Sequence, residues 1–204
     1  RVRGGAAGQL HRGTAGEGRN RLCGSVGVRG VAPGAGRGDR AEARLGCKTG
    51  KLKQRLRQVW KEGSSGQMSE EDVERNISDI LALDDAQLAA FMSDLWEEYL
   101  GELNVELVGY FAGLRPRYQT AILSNSFAGA RRKEQELYGF EDLCDLIISS
   151  HEEGIKKPDQ EIFALACERL CVHPAAVAFL DDVPPVLEAA AKFGLPAMLF
   201  TSHV

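Results

Sequence analysis

Short apolar runs alternate with amphipathic helical stretches downstream of Arg117, and this alternation constrains the fold more than any other feature of the sequence. Apolar runs bounded by helices are typical of parallel strands that are covered on both faces. Residues 116–204 are therefore predicted to form an α/β unit with a doubly wound, Rossmann-like parallel sheet, in which ligands bind at the carboxyl ends of the strands. The predicted strands cover 120–123, 146–148, 177–180 and 197–200, and the predicted helices cover about 127–138, 159–171 and 184–193.

Residues 41–115 have a different period, because their apolar side chains recur at helical spacing. The loop at 63–66, Gly-Ser-Ser-Gly, ends the first helical stretch. We expect a small all-helical unit with Trp60 and Trp96 in its core. Polar residues that are typical helix N-caps precede the later stretches. The predicted N-caps are Ser69, Asp84 or Asp85, and Asn104.

Residues 1–40 show neither period, and they differ from the rest of the chain in charge. The first 50 residues hold ten Lys and Arg against three Asp and Glu, a charge of +7, whereas residues 51–204 carry −11. Because this segment is also rich in glycine, residues 1–40 are predicted to be an irregular basic leader, disordered or non-native. Binding of RNA or another polyanion is an alternative, but nucleic acid is disfavoured because the segment has no aromatic residue on which a base could stack.

The remaining composition is that of a soluble protein of the reducing cytosol. The five cysteines form no CxxC pair, which argues against a disulfide framework and against a thiolate zinc site. No apolar run approaches the ~18 residues needed to cross a bilayer, and the first residues lack the apolar stretch of a secretory signal. We therefore expect a cytoplasmic protein with no membrane partner. Nothing in the pattern indicates an oligomeric state.

Polar side chains follow the apolar segments at the points where an α/β sheet places its ligands. Each has a structural interpretation when taken singly: Ser and Asn cap helices, and Lys156 and Lys157 could be a solvated pair. In the same segment, Pro158 is predicted at the first helical position and Asp159 in the first turn. Two adjacent carboxylates at a strand end are costly unless a cation or solvent balances them. The three signals are Ser124-Asn125 in TAILSNS, Lys157-Pro158-Asp159 in GIKKPDQEIF, and Asp181-Asp182 in AVAFLDD.

In this order the three signals resemble the second, third and fourth motifs of the haloacid dehalogenase-like (HAD) hydrolase superfamily. The resemblance covers residues 41–204, including NVELVGYFAGLRPRYQTAILSNSF. Within the superfamily, the sequence is similar to bacterial members that have a small helical cap inserted after the first strand. It implies a Rossmannoid core and a Mg²⁺-dependent phosphatase acting on a small phosphorylated metabolite. The paired carboxylates favour phosphatase chemistry over dehalogenation, because dehalogenating members of the family need no metal.

The resemblance also implies a role for each motif residue. Ser124 would hydrogen-bond a phosphoryl oxygen, with Asn125 beside it. Lys157 would neutralise charge on the nucleophile and on the transferring group. Asp181 and Asp182 would hold Mg²⁺, one directly and one through water, as suits a hard cation that keeps several waters. A lysine and a metal ion together stabilise the charge that builds during phosphoryl transfer.

The family's first motif is not recognisable in this sequence. That motif is an apolar strand ending in Asp-x-Asp, whose first Asp attacks phosphorus and ligates Mg²⁺. Asp39 follows no hydrophobic strand, and Asp84 and Asp85 lie between predicted helices. The nearest candidate strand, Ser25–Val31, delivers no carboxylate. We therefore expect hydrolysis to be impaired in this chain, and a non-catalytic HAD fragment or binding module is the alternative.

The missing motif has a structural consequence, because in this family the nucleophile strand lies at the centre of the sheet. Without it, the strands that end at Leu123 and Leu180 must pair with a substitute, pair with each other, or expose their edges. We hypothesise that a frameshift or a wrong start replaced the ancestral N-terminus. The chain also begins with Arg1 rather than Met, so we expect a fragment or an incomplete gene model.

Other candidate residues have structural interpretations that are favoured over functional ones. His151 lies beside two glutamates and is expected to be a solvated loop residue rather than a catalytic one. Arg131 and Arg132 could touch an anionic substrate, but a helix surface is favoured. Cys167 and Cys171, one helical turn apart, are expected to pack rather than to bind metal.

Overall fold

A computed structural model describes residues 20–23 and 51–201 of the 204-residue chain. Within these residues, five strands and ten α-helices follow one another, with a 3₁₀ turn at Pro174–Ala176. The helices are α1 Lys51–Arg55, α2 Arg57–Ser64, α3 Glu70–Leu81, α4 Asp85–Leu100, α5 Val105–Gly113, α6 Ala130–Tyr138, α7 Phe140–Leu143, α8 Ser150–Glu153, α9 Gln160–Leu170 and α10 Pro184–Phe193. The strands are β1 Asn20–Cys23, β2 Tyr118–Ser124, β3 Leu146–Ser149, β4 Val177–Asp181 and β5 Ala197–Leu199.

The described strands form one parallel sheet in the order β3-β2-β1-β4-β5. Helices connect β2 to β3, β3 to β4 and β4 to β5, as the long crossovers of parallel strands require. This architecture confirms the predicted α/β class and the doubly wound parallel sheet. The four strands that were predicted downstream of Arg117 lie within three residues of their expected bounds.

The centre of the sheet is occupied by β1, between β2 and β4. Its ladder with β2 runs from Asn20 opposite Tyr118 to Cys23 opposite Ala121, and it pairs with β4 on its other side. Of the three outcomes considered for the missing central strand, the structure therefore shows a substitute. For these four residues the expectation of an irregular segment is wrong, because pairing on both sides supplies a backbone conformation that the local sequence does not signal. The rest of residues 1–40, including Ser25–Val31 and Asp39, lies outside the described residues.

Strand β2 is buried on both faces in its middle, which explains the apolar run at residues 121–123. Ala121 and Leu123 pack on the face covered by α9 and α10, where the rings of Phe163 and Phe179 meet edge to face at 5.5 Å. Ile122 points to the opposite face and packs with Phe111, Phe140 and Cys144. Cys167 lies in the first of these clusters, as expected, whereas Cys171 at the end of α9 is exposed.

Helices α1 to α4 form their own core, and that core reaches the loop after β2. Leu56, Ile77 and Trp96 are buried there together with Phe127, whose ring lies 5.4 Å from that of the partly buried Trp60. The core positions expected for Trp60 and Trp96 are confirmed. The N-caps are also confirmed, with Asp84 rather than Asp85 as the cap of α4. Ser69 accepts a hydrogen bond from the Asp72 N–H, Asp84 from the Gln87 N–H and Asn104 from the Leu107 N–H.

One local prediction is wrong, because the chain turns before α9 begins. Asp159 is the N-cap of that helix and Gln160 is its first residue, so Pro158 precedes the helix instead of opening it. The Asp159 N–H donates to the Lys156 carbonyl at 2.8 Å, and the Lys157–Pro158 peptide bond is cis. Among the described helices, none is both long enough and apolar enough to cross a membrane.

Candidate active site

The carboxyl ends of β2 and β4 lie at the same edge of the sheet, on either side of β1. Leu22 pairs with Thr120 on one side and with Ala178 on the other. Continuing this register by four residues makes Ser124 level with Asp182. Neighbouring strands lie roughly 4.8 Å apart, so the two strand ends are separated by only two strand spacings. The parallel sheet therefore brings the Ser-Asn and Asp-Asp signals to one crevice edge.

Asn125 clamps the backbone of Lys157 at two points. Its side-chain Nδ2 donates to the Lys157 carbonyl at 2.8 Å, and its Oδ1 accepts from the Lys157 N–H, also at 2.8 Å. Asn125 directly follows the last residue of β2, and Lys157 lies in the loop before α9. This amide clamp joins the first and second sequence signals, because it uses both polar ends of one side chain.

A buried ion pair joins the second signal to the third. The Lys157 Nζ lies 2.7 Å from the Asp181 Oδ2, and the two side chains are only 8% and 2% exposed. The other Asp181 oxygen, Oδ1, accepts a hydrogen bond from the Val183 N–H at 2.9 Å. Asp182 is exposed. One carboxylate is thus balanced by a cation, and its neighbour is left to solvent, which are the two ways in which such a pair can be tolerated.

Hydrogen bonds and an ion pair link three of the five predicted site residues. Asn125, Lys157 and Asp181 are linked directly, and Ser124, which is half-buried, precedes Asn125 at the end of β2. Asp182 follows Asp181 in the chain, but its side chain is exposed to solvent. The roles of these residues toward a phosphoryl group or a metal stay predictions.

Mg²⁺ requires six oxygen ligands in near-octahedral geometry and is usually held by one or two carboxylates together with waters and substrate. Here both oxygens of Asp181 already accept hydrogen bonds, and Asp182 is exposed. Within residues 20–23 and 51–201, no three His, Cys, Asp or Glu side chains come together as a metal site. The described donors do not by themselves fit a complete Mg²⁺ centre.

A second hydrogen-bond network, which the sequence did not indicate, supports the loop after β2. The buried Ser150 Oγ accepts from the Ser126 N–H at 2.9 Å and lies within hydrogen-bonding distance of the Ser64 carbonyl at 3.1 Å. The Ser126 Oγ lies 2.7 Å from the His151 Nδ1. This network ties the loop that presents Ser124 both to α8 and to the end of α2.

His151 differs from its predicted environment. It lies in α8 rather than in a loop, it is half-buried, and it contacts a buried serine. Burial is the main cause of its lowered pKa, and the charge of Arg131 acts in the same direction, although nearby Glu152 and Glu70 oppose it. The expectation of a solvated histidine is wrong because the α2–α3 connection packs over this part of α8, as shown by the closeness of Gly66 to the His151 carbonyl.

Arg131 and Arg132 are engaged in ion pairs on the surface of α6. Arg131 bonds Glu141 at 2.8 Å and Glu152 at 2.9 Å. Arg132 bonds Glu70 at 2.8 Å, which links α6 to the first turn of α3. The helix-surface interpretation of both arginines is confirmed, and their guanidinium groups are already balanced by carboxylates.

An α/β sheet with this strand order and with polar residues at its strand ends occurs in one class of hydrolase, among other proteins. A model of that class, the haloacid dehalogenase-like hydrolases, matches residues 35–194 of this chain. The match covers most of the chain, and the chain belongs to this family.

Curated relatives include enzymes that act on phosphorylated compounds. D-ribitol-5-phosphate phosphatase of Bacteroides thetaiotaomicron is 25% identical over 134 residues, which are 61% of this chain and 62% of the relative. A GMP/IMP nucleotidase of Escherichia coli is 30% identical over 77 residues, 38% of this chain and 35% of that protein. Mouse acyl-CoA dehydrogenase family member 10 is 39% identical over 77 residues, 38% of this chain and 7% of that protein. This chain therefore spans between 7% and 62% of the length of these relatives.

Solved structures of low sequence identity share the fold. A HAD family enzyme from Bacteroides thetaiotaomicron matches with a TM-score of 0.75 at 18% identity, covering 90% of this chain and 94% of that one. Its wild-type complex with magnesium and inorganic phosphate matches with a TM-score of 0.74 at 19% identity, covering 89% and 94%. An L-2-haloacid dehalogenase of Xanthobacter autotrophicus matches with a TM-score of 0.56 at 20% identity, covering 87% and 76%.

Proposed function

We propose that this chain binds a small phosphorylated metabolite at the crevice formed by the ends of β2 and β4, and that it hydrolyses the phosphate ester only slowly. Membership of a hydrolase family and relatives named as a sugar phosphate phosphatase and a nucleotidase support the reaction class. The clamp of Asn125 on Lys157 supports the site, because it ties the backbone that carries a buried cation to the residue that follows Ser124. Such a cation and hydroxyl suit a phosphate group.

In this proposal each residue acts on the phosphate or on its neighbours. The Ser124 hydroxyl donates to a phosphoryl oxygen. The Lys157 ammonium neutralises charge on the phosphate, and Asn125 fixes the backbone that carries it. Asp181 and Asp182 occupy the positions from which a HAD phosphatase holds Mg²⁺, which when bound would neutralise the phosphoryl oxygens. This chain offers those two carboxylates without a described third ligand.

The observation that supports slow turnover is the identity of the central strand. In a HAD phosphatase the carboxylate that attacks phosphorus follows this strand, whereas here β1 ends at Cys23 and the next acidic residue in the sequence is Asp39. Loss of a nucleophile that acts as a unit with its neighbours removes most of the rate. The remaining residues can still orient a phosphate ester, because binding and attack use different groups.

The helical unit, residues 41–115, is proposed to act as the cap that selects the substrate. Its core shares Phe127 and Ala128 with the loop that follows Ser124, so the helical unit packs directly against that loop. A cytoplasmic location and a lack of nucleic-acid partners remain part of the proposal.

Turnover is tested with p-nitrophenyl phosphate in the presence of Mg²⁺. We expect a rate barely above that of buffer, and little further loss in Asp181→Ala. Robust Mg²⁺-dependent hydrolysis that disappears in Asp181→Ala would show that the chain is a competent phosphatase and would overturn the proposed impairment.

A non-catalytic binding module is the second candidate function. It is favoured by the buried pairing of Asp181 with Lys157, which places a salt bridge where a phosphatase needs a free metal ligand. Titration of the protein with phenyl phosphate, followed by isothermal calorimetry, separates the two candidates when combined with the turnover assay. Binding without any turnover supports the module, and binding with slow turnover supports the impaired hydrolase.

A further inference from the structure

The charge of Asp181 is already balanced within the protein. Its Oδ2 lies 2.7 Å from the Lys157 Nζ, and its Oδ1 accepts from the Val183 N–H at 2.9 Å. With the carboxylate 2% exposed, a bare negative charge here would be costly, and the lysine removes that cost. A buried carboxylate at this strand end needs a positive partner, and a divalent cation could be that partner. Here the Lys157 ammonium already takes that place.

The position of that ammonium is fixed from the backbone outward. Asn125 bonds both the N–H and the carbonyl of Lys157, so the residue cannot shift without losing two hydrogen bonds to the end of β2. The side chain then extends from this clamp to β4, where it meets Asp181. The lysine thus spans the interval between the end of β2 and the end of β4.

Divalent metal binding at this place would have to compete with the lysine. A cation approaching Asp181 would meet the positive charge of Lys157, and the described residues provide only Asp182 as a further carboxylate at the strand end. Mg²⁺ gives up its waters reluctantly, and weak or repelled sites do not compensate for that cost. A phosphate group, by contrast, can share the ammonium with Asp181 because an ammonium has three donors.

Resting on the proposed function, we infer that the Lys157 ammonium is the resident cation of this site, and that the chain binds phosphate monoesters weakly and without Mg²⁺. Asp181 then acts as a competitor for the ammonium rather than as a metal ligand. The two roles predict opposite effects when the carboxylate is neutralised. Removing a metal ligand weakens phosphate binding, whereas removing a competitor for the cation strengthens it.

The affinity for phenyl phosphate is measured by isothermal calorimetry on the full chain, once with Mg²⁺ and once with EDTA. We expect the same dissociation constant under both conditions. Asp181→Asn should bind about tenfold more tightly, because about 1.4 kcal/mol of competition for the ammonium is removed. Lys157→Gln should bind at least about tenfold more weakly. Lys156→Gln is the matched control, since this neighbouring lysine is exposed, and it should bind as the unchanged chain does.

Binding of Mn²⁺, a paramagnetic substitute for Mg²⁺, is followed by electron paramagnetic resonance and provides a readout that does not involve phosphate. We expect no saturable Mn²⁺ site that depends on Asp181, so the unchanged chain and Asp181→Asn should bind Mn²⁺ equally little. A saturable site that is lost in Asp181→Asn would overturn the inference. The double variant Lys157→Gln with Asp181→Asn replaces the ion pair by two amides of similar shape, so it should stay folded by circular dichroism even if a single variant unfolds.

The outcomes separate the inference from the proposed function. Phosphate binding that requires Mg²⁺, or that weakens in Asp181→Asn, overturns the inference and leaves the proposed function standing. A chain that binds no phosphate ester under either condition overturns both.

Discussion

Glu134 is a largely buried carboxyl on α6, and burial raises its pKa to about 7 from an ordinary value of 4.5. Tyr138, one helical turn further, has a raised pKa because of burial and because of the charge on Glu134. Below pH 4.5 the Glu134 carboxyl is protonated in both the folded and the unfolded chain, so it has no effect on stability. As the pH rises to 7 the unfolded chain ionises first, and the folded state progressively loses stability.

The Glu134→Gln substitution should therefore stabilise the protein only at higher pH. We expect the free energy of unfolding in urea to rise by about 1–3 kcal/mol at pH 8 and to change little at pH 4.5. Glu136→Gln, on the exposed side of the same helix, is the control and should show no such difference between the two pH values. An equal effect of Glu134→Gln at both pH values would contradict a buried carboxyl.

The site residues differ in how far the sequence could predict them. Ser124, Lys157 and Asp181 were recognisable because each ends or precedes a regular element, and parallel topology then brings such positions to one sheet edge. The contact of Ser126 with His151 was not predictable, because the two residues are 25 positions apart and nothing in the spacing relates them. The pairing of Lys157 with Asp181 was not predictable from the sequence either, because the sequence is equally compatible with two solvated lysines at positions 156 and 157.

At the scale of elements, α2 approaches the loop after β2 at a glycine. A Cβ atom built on Gly63 would lie 2.4 Å from a ring carbon of Phe127, a side chain that is fully buried in the core of helices α1 to α4. The Ala128 N–H also donates to the Gly63 carbonyl at 3.0 Å. The glycine therefore permits a close approach that holds the loop carrying Ser124 against the helical unit.

Gly63→Ala is expected to destabilise the protein by about 1–3 kcal/mol, because Phe127 would have to leave its packed position. Gly109→Ala is the matched control in α5, where no atom lies within 4 Å of the added methyl group. That control should be neutral or stabilising by up to about 1 kcal/mol, since alanine favours a helix. Both are compared by thermal unfolding, and equal melting temperatures would show that the Phe127 contact does not constrain α2.

The elements themselves were predicted unequally. Strands β2, β3 and β4 were predictable from their apolar runs. The starts of α3 and α5 were predictable from the N-cap residues Ser69 and Asn104, which the structure shows as caps. Strand β1 could not be predicted, because Asn20–Cys23 is four residues long and shows no sustained alternation. Its conformation comes from the two neighbouring strands, which act across long stretches of chain rather than through local preference.

At the scale of the whole molecule, β1 joins the two halves of the sheet. Deleting residues 1–23 removes it and leaves β2 and β4 with facing edges that lack a partner, so we expect a chain that loses cooperative thermal unfolding and aggregates. Deleting residues 1–19 retains β1 and serves as the control, which should unfold cooperatively. Circular dichroism melts and size-exclusion chromatography measure both. If the two shortened chains behave alike, the central position of β1 does not matter for stability.

The central position of β1 also determines when the sheet can be completed during synthesis. Asn20 is translated 98 positions before its partner Tyr118, and Arg21 is translated 156 positions before its partner Val177. Pairings over such distances form slowly, and domains complete their folding only when all parts have emerged. Strand β1 therefore cannot pair on both sides until a segment that is translated about 156 positions later has emerged from the exit tunnel. A nascent chain interrupted before Val177 would leave the edge of β1 that faces β4 unpaired.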